Sequence, residues 1–210
     1  MLQVTIVPVT DFFQNCTIVY DSESLRGVIV DPGGDNERIE NAVQELGIEV
    51  EAIWLTHGHL DHAGGAEVAK AKYGVELIGP HRADKMLLDT IEQTCKSYGL
   101  VGMKNANPDR WLEEGDQLSI GEHTFDVLHC PGHAPGHVIF VQKESQLVLM
   151  GDVLFAGSIG RTDLPGGDHD TLINSIREKV LPLGDEMRFI CGHGEGSTIG
   201  QEKRTNPFLQ

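Results

Sequence analysis

Thr56-His57-Gly58-His59-Leu60-Asp61-His62 packs three histidines and an aspartate into seven residues. The stretch follows Glu51–Leu55, an apolar run of strand length, and precedes a helical pattern from Gly65 to Tyr73. A loop leaving a strand can turn all four side chains toward one point. His57 and His59, as alternate residues, share a face, and Asp61 and His62 enter from the turn into the helix. Imidazole combined with carboxylate suits zinc, iron or manganese rather than calcium. Three further candidates stand at the ends of other strand-like runs. They are His133 in Cys130-Pro131-Gly132-His133, Asp152 in Met150-Gly151-Asp152, and His193 in Cys191-Gly192-His193. Each adjoins a glycine, which lets backbone pack close to a ligand. Seven ligand-type residues, all at strand ends, point to a metal site rather than to unrelated surface polarity.

The order of elements around these motifs sets the expected architecture. Val4–Val9, Cys16–Tyr20 and Gly27–Val30 read as an antiparallel meander that Asp31-Pro32-Gly33-Gly34 ends. Asn36–Leu46 has helical spacing with Gly47 as its stop. Val75–Gly79 reads as a strand, Arg82–Tyr98 as one amphipathic helix, and Leu100–Arg110 as a surface loop. Gln117–Ile120, Thr124–His129, His137–Gln142 and Gln146–Met150 form a second meander. Asp168 caps a helix running to Leu181, where Pro182 ends it, and Arg188–Cys191 is a last strand. Strands followed by helix and strand, twice over, favour two face-to-face sheets with helices outside, a four-layer αββα sandwich of the α/β class. No Pro/Ser-rich linker divides the halves, so residues 1–210 are expected to form a single domain.

Composition removes several function classes. Two hundred and ten residues with 40% hydrophobic and 23% charged content are ordinary globular values. Sixteen Lys and Arg against 32 Asp and Glu leave −16, a field that repels nucleic acid and anionic membrane. The longest apolar runs are strand-sized, well short of the ~18 residues of a membrane span. The amino terminus reads as a strand and not a signal peptide. Cys16, Cys95, Cys130 and Cys191 contain no C-x-x-C pair, as expected of buried, reduced thiols in a cytoplasmic protein. The sequence does not fix the oligomeric state, and a monomer is compatible with it.

The motifs THGHLDHAGG, CPGHAPGH, GDVLF with GRTD, and GHGEGSTIGQEKRTNPFL resemble the metallo-β-lactamase superfamily, in particular its glyoxalase II-like branch of hydroxyacylglutathione hydrolases. The resemblance covers nearly the whole chain. It implies the metallo-β-lactamase fold and two divalent metal ions, with zinc expected and iron or manganese as alternatives. One ion would take His57, His59 and His133, the second Asp61, His62 and His193, and Asp152 would bridge them. It implies a metal-dependent thioester hydrolase that cleaves a substrate such as S-lactoylglutathione to a hydroxy acid and free thiol. The nucleophile would be a hydroxide shared by the metals and oriented by Asp61. Gly160-Arg161-Thr162-Asp163 also resembles persulfide dioxygenases of the superfamily, which use one iron; there His57, His133 and Asp152 would be its ligands.

Two departures concern substrate. Full-length glyoxalase II adds a helical C-terminal region whose basic residues grip glutathione, whereas 17 residues follow His193 here. The tyrosine common after the last motif is also missing from Gly192-His193-Gly194-Glu195-Gly196. Arg161 and Lys143 are the candidates to replace that grip. The competing reading is a structural pair with Asp163 for Arg161 and a solvated turn for Lys143. His137 is expected to hydrogen-bond beside the ligands, and His81, His123, His129 and His169 to be ordinary polar residues.

Overall fold

The computed structural model describes residues 1–210. Its first sheet begins with β1 (Leu2–Val9), β2 (Gln14–Asp21) and β3 (Arg26–Val30), paired antiparallel in sequence order. Helix α1 (Asn36–Leu46) then returns the chain to β4 (Glu49–Trp54), which lies parallel to β3. Short α2 (Leu60–Ala63) and α3 (Ala66–Tyr73) lead to β5 (Glu76–Ile78), parallel to β4. A pair of helices, α4 (Lys85–Asp89) and α5 (Ile91–Ser97), closes this half.

The second sheet opens with β6 (Gln117–Ile120), β7 (His123–His129), β8 (Val138–Gln142) and β9 (Leu147–Gly151), an antiparallel run. A hairpin of β10 (Leu154–Phe155) and β11 (Ser158–Ile159) follows, then α6 (His169–Ser175). β12 (Arg188–Cys191) pairs parallel to β9, β13 (Ser197–Thr198) antiparallel to β12, and α7 (Ile199–Thr205) ends the order.

Three apolar layers account for the stacking. Between the sheets, Val28, Val30 and Trp54 from the first meet Phe125, Val127 and Phe140 from the second. Trp54 meets Phe125 edge-on at 5.3 Å and Phe140 at 5.1 Å, geometry that favours aromatic quadrupoles. The outer face of the first sheet buries Ile39, Val43 and Leu88 from its helices, and that of the second buries Leu172, Ile176 and Ile199. Helix, sheet, sheet, helix is the four-layer order expected from the sequence.

Two expected helices are not continuous. Arg82–Tyr98 is a 3₁₀ turn at Arg82–Asp84, then α4 and α5 separated at Thr90. The Thr90 hydroxyl donates to the Met86 carbonyl at 2.8 Å, a side-chain bond that bends helices, and Thr90 leaves helical geometry at φ −115°. The helix capped by Asp168 is α-helical only to Ser175; it widens to a π turn over Ile176–Val180 and tightens to 3₁₀ at Leu181–Leu183. The pairs β10–β11, the strand β13 and the helix α7 were not expected: two-residue strands carry no periodicity, and Ile199–Thr205 is too polar to show an apolar face.

Strand direction places the site. β3 and β4 run the same way, and so do β7, β9 and β12, since β8 runs against its neighbours. The carboxyl ends of these five strands meet at one edge of the sandwich.

Candidate metal centre

The seven residues singled out in the sequence follow four of these strands: His57 and His59 lie in the loop after β4, Asp61 and His62 in α2 directly behind it, and His133, Asp152 and His193 in the loops after β7, β9 and β12. His57, His59 and His133 offer ring nitrogens within 4.8 Å of one another, and so do the donor atoms of Asp61, His62 and His193. Asp152 reaches both groups: Oδ2 lies 3.5 Å from His133 Nε2 and 3.6 Å from His193 Nε2, and Oδ1 lies 3.4 Å from His62 Nε2. Asp61 Oδ2 stands 3.1 Å from His193 Nε2. The backbone is shaped to this crowding. A Cβ on Gly192 would fall 2.1 Å from Asp152 Oδ1 and 2.5 Å from His62 Cε1.

Four of the histidines spend Nδ1 on a neighbouring oxygen. His57 Nδ1 donates to the Thr56 hydroxyl at 3.0 Å, which itself donates to Asp31 Oδ2 at 2.6 Å. His62 Nδ1 donates to Asp31 Oδ2 at 2.9 Å, His133 Nδ1 to the Arg161 carbonyl at 2.8 Å, and His193 Nδ1 to the Phe12 carbonyl at 3.2 Å. These bonds fix each ring and leave Nε2 for the centre, the arrangement that supports metal-ligating imidazoles. His137, beside the cluster, stacks on His57 with centroids 4.6 Å apart, and its Nε2 accepts from the Asp152 backbone N–H at 3.0 Å.

The donor set fits a cation. His59 turns Nδ1 inward, 2.9 Å from His133 Nε2. Nε2 of His57 and His62, with Asp152 Oδ1, are buried without a hydrogen-bond partner. Buried polar atoms without partners cost about 1–3 kcal/mol each, so a cluster of three asks for an occupant. Burial, with the neighbouring imidazoles, holds His57 well below the ordinary histidine range and puts His59 at about 3. Both are neutral near pH 7, the form in which imidazole binds metal. Burial opposes charge on His62 as well, but the Asp152 and Asp61 carboxylates outweigh it and raise its pKa. Asp152 is likewise opposed by burial yet held low by His62 and His133. Asp31, Asp61 and Asp152 thus crowd into a centre where their ion-pair partners are histidines alone.

Two residues proposed for substrate contact are placed differently. Lys143 follows β8, and because β8 runs against β7 and β9 its end lies at the opposite edge. There its ammonium pairs with Asp126 at 2.6 Å, so Lys143 is not at the site. Arg161 does line the cavity above the centre, but its guanidinium grips Asp163 at 2.7 and 2.8 Å. Its backbone carbonyl, which orients His133, is the part that touches the cluster.

Two further carboxylates support the cluster. Asp31 marks only a turn in the sequence, yet it accepts from the Thr56 N–H, the Thr56 hydroxyl and His62. Its place at the end of β3 was the available signal. Asp84, inside an expected helix, accepts from the N–H of Gly58 at 2.8 Å and of Gly136 at 2.5 Å, and no sequence pattern marked it.

Residues 9–193 match the family model described as Metallo-beta-lactamase superfamily. The chain is 46% identical to "Hydroxyacylglutathione hydrolase GloC" of Haemophilus influenzae, covering 99% of this chain and 98% of that one. It superposes on the crystal structure of BLEG-1 B3 metallo-beta-lactamase with a TM-score of 0.91 at 36% identity, covering 99% of this chain and 100% of the other. With TTHA1623 in a di-iron-bound form the TM-score is 0.89 at 39% identity, covering 98% and 100%. Both the family model and these full-length likenesses span the four segments that carry the cluster, and the chain belongs to the metallo-beta-lactamase superfamily, as a metallo-hydrolase.

Proposed function

We propose that the protein hydrolyses thioesters of small hydroxy acids, S-lactoylglutathione or a close relative, at a two-metal centre. The observation that carries this reading is the pair of donor groups joined by Asp152 at the floor of an open cavity. His57, His59 and His133 would hold one ion, Asp61, His62 and His193 the other, with Asp152 between them. Zinc, iron and manganese all suit this set. When bound, such ions polarise a carbonyl and supply an activated water near neutral pH.

The chain's own residues do the rest. Burial opposes ionisation of Asp61, but His62 and the hydrogen bond to His193 hold it ionised. An ionised carboxylate facing the cavity can accept a hydrogen bond from the attacking water and orient it. The loop residues Thr56, Asp31, Arg161 and Phe12 hold the imidazoles against rotation, so geometry is set before substrate arrives. A thiolate is a good leaving group, its conjugate acid having a pKa of about 8.5, so no dedicated proton donor is needed. Full-length likeness to the Haemophilus influenzae hydroxyacylglutathione hydrolase supports the choice of ester.

The test is turnover of S-lactoylglutathione by metal-loaded protein, in air and without oxygen. Equal rates in both are expected. Because Arg161 is the one lysine or arginine on the lining and Asp163 already shares it, the glutathione carboxylates gain little pairing in the cavity, and a high KM is expected with kcat little affected. Oxygen consumption on glutathione persulfide without thioester cleavage would reverse the reading in favour of the dioxygenase chemistry that Gly160–Asp163 also resembles.

A further inference from the structure

The cavity above the centre has room for both halves of a thioester, but its lining offers the charged glutathionyl half a single Lys or Arg, Arg161. Its volume is about 1030 Å³, at the top of the range for small-molecule sites. The broken helix contributes Met86, Leu87 and Ile91 to the lining, and the rest of the chain contributes Phe12, Phe155 and Leu164. Met86 is 62% exposed and Tyr98, further along the same helix, 64%. Large apolar side chains left open along one cavity mark a surface meant to be covered. Charge points the same way. Arg161 is the only lysine or arginine on the lining, and Asp163 occupies it; Glu195 adds a negative charge. An anionic arm would find no unpaired lysine or arginine there, whereas an alkyl or aromatic arm would find Met86, Phe12, Phe155 and Leu164 on the lining.

We propose that the substrate is a thioester with an extended apolar arm, held by the apolar part of this lining, Met86 and Tyr98 on the helical side with Phe12 and Phe155, while its carbonyl rests at the histidine–aspartate floor. The proposal builds on the thioester reading above and names the substrate class within it. The apolar arm belongs to the acyl half or to the thiol half, and the chemistry that recognises it is the same. Burial of one methylene in such a groove changes affinity about threefold to fourfold.

Two measurements on the metal-loaded protein test the groove and the reaction separately. The first is calorimetric binding of non-hydrolysable S-alkyl thioethers of N-acetylcysteamine and of glutathione, from methyl to octyl. Affinity is expected to rise about threefold per methylene over several carbons, and Met86→Glu and Tyr98→Glu, both at exposed positions, are expected to flatten that slope. Affinity independent of chain length, or unchanged slopes in both variants, would overturn the groove proposal. The second is kcat/KM for 2-hydroxyacyl thioesters lengthened in the acyl half, and separately in the thiol half. A slope in one series assigns the arm. Turnover without slope in either series overturns the groove proposal and leaves the thioester reading standing. Chain-length-dependent binding with no turnover of any ester overturns the thioester reading while the apolar preference holds.

Discussion

Asp152 and His137 lie within one hydrogen bond of each other and do different work. Asp152 is the only carboxylate that touches both donor groups. His137 touches the centre only through others, stacking on His57 and accepting the Asp152 N–H. Losing such a support typically costs 10–100-fold in metal affinity. His137→Ala is therefore expected to weaken metal binding by about that factor, with most activity restored at saturating metal. Asp152→Ala is expected to abolish activity at any metal concentration, since nothing else links the groups. Competition titration against a chromophoric chelator, followed by assay at saturation, separates the two. Equal loss of activity from both variants at saturating metal would move His137 into the reacting centre.

Among the elements, the 3₁₀ turn before α4 carries the least visible support of the site. Asp84, fully buried, bonds the Gly58 N–H in the loop after β4 and the Gly136 N–H in the loop before β8, tying the two sheets' ligand loops together. Burial pushes its pKa up to about 7, against the pull of those N–H groups from Gly136 and Gly58. In the unfolded chain the same carboxyl releases its proton near 3.8. Between these values the unfolded state binds fewer protons than the folded state, so this contribution to stability falls as pH rises from about 4 to 7 and then stays flat. Asp84→Asn removes the titration and can accept only one of the two N–H bonds, for a cost of about 1–3 kcal/mol. The variant is expected to be less stable than wild type at pH 5, with the gap narrowing by pH 8. Denaturant unfolding of both proteins at each pH checks this, and a constant gap would show that Asp84 does not titrate in that window.

The scale of elements also shows what could be read in advance. The seven cluster residues were legible because each follows a strand of ordinary length and pattern, and parallel strand direction gathers such ends at one edge. Lys143 was misplaced for the same reason in reverse: sequence marks a strand's end but not its direction, and β8 runs the other way. The break at Thr90 depends on one hydroxyl reaching Met86, and Asp84 acts through backbone N–H groups far along the chain. Neither leaves a periodic trace. Asp31 lay in plain view at a strand end, but its pairing with Thr56 and His62 exists only once β3 and β4 are side by side.

At the scale of the whole molecule, charge and architecture converge on the centre. The chain carries −16, and three of its carboxylates are gathered at the seam between the sheets with histidines for company. The segment after β4 supplies four of the seven donors, and the loops after β7, β9 and β12 the other three, so ions held there join the two sheets as well as serving chemistry. No helix is long and apolar enough to cross a membrane. The core consists of the apolar layers between and outside the sheets. An ion at 100 times its dissociation constant stabilises the folded state by about 2.7 kcal/mol. For a chain of this size 1 kcal/mol moves Tm by roughly 2–4 °C. Chelation is thus expected to lower Tm by roughly 5–10 °C for each ion lost, and two equivalents of metal are expected to restore it. Because the centre and the interlayer core bind the same two sheets, we expect a single unfolding transition with and without metal. Scanning calorimetry alongside elemental analysis provides the check. Saturation of the Tm recovery at one equivalent would leave one donor group without an ion, and two separated transitions on chelation would mean that the sheets fold independently and that metal alone couples them.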